Sequence, residues 1–131
     1  MRFKISFRIA DGLLRIEQSG DFDVDAYIAL IVEVLAHPDY RLGMPAIADV
    51  TGTRRHVTVP DMEVIREALV RGPLKAFRPR RYALVATAPM YGLIAKLLSE
   101  VIVETTNVLS GVLEIRRFAT HAEAEAWVRG V

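Results

Sequence analysis

The chain reads as an α/β domain: a five-stranded mixed sheet, with an N-terminal hairpin and then parallel β-α units, in the order ββαβαβαβα with four helices mainly on one face. Three observations predict it. An alternating run over residues 2–9, an Asp11-Gly12 turn and a second apolar run mark a hairpin. From Val24 onward, segments of helical spacing alternate with short apolar runs, the pattern of strands joined by crossover helices. Finally, 131 residues with 52% hydrophobic and 25% charged content suit one domain spanning 1–131. A chain of this length buries roughly 65–70% of its unfolded surface, which excludes disorder and needs no disulfide or metal staple.

Each element has its own reason. In the first strand Phe3, Ile5, Phe7 and Ile9 share one face, and Arg2, Lys4, Ser6 and Arg8 the other. Leu13 to Gln18 forms the second strand, which Ser19-Gly20 ends. Asp21 or Asp23 offers an N-cap for a helix from Val24 to Ala36, and His37-Pro38 stops it. Its stripe is Val24, Tyr27, Ile28, Ile31, Val32 and Leu35; Leu30 and Val34 fall outside, which is more apolar circumference than one core needs. Ala46 to Val50 reads as a buried strand ending at Asp49, with residues 51–56 as an exposed loop.

Pro60 suits the first position of a second helix running to about Arg71, which Gly72-Pro73 closes. A basic loop leads to a strand over Tyr82 to Thr87. Pro89 starts the longest helix, to about Thr106, with Met90, Leu93, Ile94, Leu97, Leu98, Val101 and Ile102 as its core stripe. Val112 to Phe118 is the fifth strand, and Thr120-x-x-Glu123 launches a last helix containing Trp127. The polar second face of the first strand, with Glu114 and Arg116 on the last, is the reason for expecting helices mainly on one side.

Composition excludes several classes. With no cysteine there is no disulfide and no thiol chemistry, consistent with a cytoplasmic protein. No apolar run approaches the ~18 residues of a membrane span, and no export signal opens the chain. The formal charge is +1, with residues 1–65 holding seven basic and ten acidic side chains and residues 66–131 holding ten and six. Arg54, Arg55, Arg78, Arg80, Arg81, Arg116 and Arg117 would divide between opposite edges of the sheet, so no nucleic-acid partner is expected. Fourteen arginines against three lysines read as a genome bias rather than a chosen set of guanidinium forks.

Candidate chemistry is sparse. His37, His56 and His121 lack ligand spacing to one another or to a carboxylate, so neither metal nor cofactor is expected. Gly-x-Ser-x-Gly, P-loop and dinucleotide fingerprints are absent. Asp49, at a central strand's end, faces either a ligand crevice or the amides of Thr51 to Thr53. An enzyme would need Asp49, His56 and Arg54 to meet in one crevice; together with Thr51 the same residues are the candidate loop or ligand site. The apolar surplus gives two non-catalytic expectations: a homodimer face at Leu30 and Val34, or an apolar ligand groove lined by Met62, Phe77, Met90 and Tyr91.

Several segments together resemble the STAS-like domains, most of all the small stand-alone bacterial STAS/SEC14-like proteins related to anti-sigma-factor antagonists. They are Pro45-Ala46-Ile47-Ala48-Asp49-Val50-Thr51-Gly52, Arg81-Tyr82-Ala83-Leu84-Val85, and the close Arg117-Phe118-Ala119-Thr120 with Glu123-Ala124-Glu125-Ala126-Trp127-Val128. The resemblance implies a non-enzymatic regulatory module acting through a protein partner, with lipid-binding relatives as the alternative. It also places Thr58 at the family's phospho-acceptor position, although the surrounding Asp-Ser-Ser-Gly signature is replaced by Val57-Thr58-Val59-Pro60.

Overall fold

The computed structural model describes residues 1–55, 58–87 and 114–130. They form β1 (Arg2–Arg8), β2 (Leu13–Asp21), α1 (Val24–Ala36), β3 (Ala46–Arg55), α2 (Val59–Val70), β4 (Arg81–Val85), β5 (Glu114–Phe118) and α3 (His121–Val128). The helix expected from Pro89 to Thr106 lies outside the described residues, so three of the four expected helices are seen.

The five strands stand in chain order, β1-β2-β3-β4-β5. β1 and β2 pair antiparallel through a short 3-10 turn that ends at Gly12, whose φ of 59° is the left-handed conformation only glycine adopts freely. The remaining pairs are parallel. Because each new strand joins the same growing edge, right-handed crossovers carry α1 and α2 to the same face. There Leu14, Ile16, Ala46, Ala48 and Leu84 of the sheet pack against Leu30, Ile31, Val34, Ile65 and Leu69 of the helices. Tyr27 and Tyr82 meet at this core through their hydroxyls, and burial pushes the Tyr27 phenol up to about 12.

Two expectations are corrected and a third is made specific. First, Leu30 and Val34 are not a surface face: both are fully buried, with Ile31, at the centre of the α1 contact. The buried arc runs through positions 27, 30, 31 and 34, a helical i, i+3, i+4, i+7 set, because α1 contacts α2 as well as the sheet. Val32, which the expected stripe included, is the one left exposed. Second, β3 does not end at Asp49 but continues to Arg55, and β2 continues past Gln18 to Asp21. The two strands stay paired through two register shifts, between Glu17 and Ser19 and between Gly20 and Asp21. Third, α3 lies on the opposite face, over Leu13, Ile47, Ala83 and Val85, with Ala124 and Val128 pointing into them. It follows β5 and, among the described residues, leads to no further strand, so the crossover rule does not bind it.

The helix ends follow local chemistry. Asp23, not Asp21, caps α1, its Oδ1 accepting from the amides of Asp25 at 3.0 Å and Ala26 at 3.3 Å. Thr58 caps α2 in a reciprocal box: its hydroxyl accepts from the Asp61 amide and the Asp61 carboxylate accepts from its own. Thr120 caps α3, accepting from the Glu123 amide at 3.3 Å.

Candidate functional site

Parallel pairing aligns the carboxyl-terminal parts of the strands, and the register gives one continuous row across the sheet: Lys4, Glu17, Asp49, Val85, Phe118. β5 leads through Thr120 into α3, so the first residue of that helix, His121, arrives above Asp49. Its Nε2 lies 2.6 Å from Asp49 Oδ2. The other carboxylate oxygen, Oδ1, accepts from the Thr51 amide at 2.9 Å and from the Thr51 hydroxyl at 2.6 Å. Asp49 therefore bonds Thr51, two residues further along its own strand, and the start of a distant helix at once.

The electrostatics follow. Burial alone would raise the Asp49 carboxyl, but the Thr51 hydroxyl, the Thr51 amide and His121 together outweigh it and hold the group below the ordinary carboxylate range. The second nitrogen of His121, Nδ1, is buried without a hydrogen-bond partner. The two functional groups nearest to a catalytic arrangement are thus turned towards each other rather than towards solvent.

Arg54 does not join them. The extension of β3 carries it further along the strand, where it is exposed and its Nε stands 3.8 Å from Asp21 Oδ1. His56 lies outside the described residues. Of the candidate apolar groove, Phe77 is buried in the first core and Met62 packs partly buried against it, while Met90 and Tyr91 lie outside the described residues. Among the basic residues, Arg78 Nη2 donates to the Leu69 carbonyl at 2.7 Å, and Arg81 and Arg116 flank the Trp127 ring at 5.4 and 5.2 Å. These guanidiniums serve intramolecular contacts. Among the described residues, no three His, Cys, Asp or Glu side chains converge as a metal site would require, and no helix is long and apolar enough to cross a membrane.

His121 is the residue that sequence reasoning missed. It is 72 positions from Asp49, and no local spacing links them. The available signal was topological: Thr120 as N-cap puts His121 in the first turn of the helix after β5, at the same end of the sheet as Asp49.

Beside this pair the second face of the sheet opens into a hollow of about 340 Å³ lined by Arg2, Lys4, Glu17, Ser19, Asp49 and Thr51, among others. The chain matches no family profile and no curated protein. Among solved structures it is similar to the crystal structure of an uncharacterized protein of the DUF3478 family from Shewanella loihica PV-4, described as having a SpoIIAA-like fold. The TM-score is 0.55 at 13% identity, covering 96% of this chain and 93% of that one. With the hairpin, the parallel β-α units and the helix placement above, this similarity shows that the chain has the SpoIIAA-like, or STAS-like, fold.

Proposed function

We propose that the chain is a non-catalytic STAS-like interaction module that works by contact, with a second copy of itself and with a regulatory protein partner, rather than by turnover. The observation that carries this reading is the closure of the Asp49–Thr51–His121 cluster. A general base needs a nitrogen or oxygen within reach of a substrate proton. Here the Thr51 hydroxyl and His121 Nε2 both engage Asp49, and the remaining ring nitrogen is buried.

With Leu30 and Val34 in the core, contact must use other residues. Of the five large hydrophobic side chains exposed among the described residues, three are on the two helices of the first face: Val32 on α1, Val59 and Val64 on α2. That concentration supports the outward surface of this helix pair as the docking face. Thr58, exposed at the head of α2, borders it. A phosphate on Thr58 would stand against the Asp61 carboxylate of its own capping box, so phosphorylation would weaken the helix start as well as recharge the face.

Native mass spectrometry of the intact chain tests the reading, because one spectrum reports both stoichiometry and retained ligand. The expected result is a dimer without added mass, reduced to monomer by Val32→Glu with Val64→Glu. A monomeric wild type, or a dimer that survives both substitutions, overturns this docking face. A reproducible added mass lost on denaturation would favour a carrier instead.

A further inference from the structure

The charges on the second face of the sheet are treated differently at its two ends. At one end Arg8 pairs with Asp11 at 3.1 Å and with Glu125 at 2.7 Å, Arg129 pairs with Asp11 at 2.8 Å, and Arg15 also reaches Glu125. At the other end lies the hollow. Lys4 stands directly across from Glu17 and Arg2 from Ser19, yet Arg2, Lys4 and Glu17 make no ion pair among the described residues. Asp49, next in the same row, is already engaged by Thr51 and His121. Three unmatched charges therefore line one concavity, two cations on the edge strand and a carboxylate on its neighbour.

The hollow's inner wall is built by an irregularity. From Glu17 to Ser19 β2 advances two residues, while β3 advances three, from Asp49 to Gly52. Such bulges redirect side chains and are frequent beside binding sites. The strands then close so tightly that a Cβ on Gly52 would lie 3.0 Å from both the Gln18 carbonyl oxygen and the Ser19 Cβ. Only glycine fits.

We propose that this hollow binds a small amino-acid-type zwitterion, its carboxylate held by Arg2 and Lys4 over β1 and its ammonium by Glu17 over β2. A simple anion is disfavoured because Glu17 and Asp49 stand side by side in the row and would repel it. A simple cation would meet Arg2 and Lys4. Neighbouring strands are ~4.8 Å apart, which suits a ligand whose opposite charges are a few bonds apart. A volume of about 340 Å³ is at the small end of ligand pockets, consistent with a molecule of few heavy atoms.

The test is a titration of the intact ¹⁵N-labelled chain with β-alanine, followed by amide chemical shifts, with propionate and ethylamine as its two single-charge counterparts. Saturable shifts confined to residues 2–4, 17–19 and 49–52 are expected, roughly tenfold weaker for either counterpart. Lys4→Met and Glu17→Gln should each weaken binding by roughly tenfold while leaving the rest of the spectrum unchanged. Propionate binding as well as β-alanine, shifts elsewhere on the molecule, or none at tens of millimolar would each overturn the proposal. The outcome is independent of the docking face on α1 and α2, which lies on the other side of the sheet.

Discussion

The two faces of the sheet hold their helices by different means. On the first, α1 and α2, 13 and 12 residues long, lie over a continuous apolar layer in which Leu30, Ile31 and Val34 are fully buried. On the second, α3 has eight residues and only Ala124 and Val128 fully inside. What it lacks in apolar area is supplied at its ends: His121 to Asp49 at the start, Glu125 and Arg129 to Arg8, Arg15 and Asp11 further on, and the Arg81 guanidinium donating to the Trp127 carbonyl at 2.5 Å. A helix fastened by charge responds to pH and salt, whereas one fastened by area does not.

That contrast sets an order of expected effects. The largest belongs to the first face. Leu30→Ala should cost about 2–5 kcal/mol in urea unfolding, the range for a large aliphatic side chain removed from a closed core. A loss below about 1 kcal/mol would mean that the first face is not the mechanical centre.

The second face should show itself through acid. Asp49 has a folded-state pKa below its ordinary value, so its contribution is present above pH ~4 and is lost as the pH falls through the lower folded value. Trp127, the single tryptophan, sits in α3 and reports the helix directly. Its emission should change on acidification in the wild type, and that component should be absent in Asp49→Asn, which is already weakened near neutrality. An unchanged acid profile in Asp49→Asn would remove Asp49 as the link.

The smallest effect belongs to Arg54, whose side chain is 78% exposed and 3.8 Å from Asp21. Arg54→Ala should stay within about 0.5 kcal/mol of wild type, as isolated surface pairs do. A larger loss would show that the far end of β3 contributes more to stability than its exposure implies.

Much of the fold was legible because it depends on near neighbours in the chain. The hairpin followed from alternation and Asp11-Gly12, and α1 stops at Ala36 because His37-Pro38 follows. The candidate site was half legible. Asp49 stood out as a carboxylate at the end of a central strand, but His56 was set beside it where His121 belongs. Nothing in the composition of residues 51–55 announced that they would continue as strand, because that depends on β2 offering them a partner beyond the bulge.

By itself, then, the sequence determined most of the described elements and their order, the parallel crossovers, an aspartate cap at position 21 or 23 and the cap at Thr120. All of these depend on contacts a few residues apart or on the handedness of the chain. Only the tertiary structure decided which arc of α1 is buried, which face α3 covers, that Asp49 meets His121, and that Arg2, Lys4 and Glu17 remain unmatched around a hollow. Those outcomes turn on which surfaces come to lie against one another, and residues up to 72 positions apart carry no local pattern that records it.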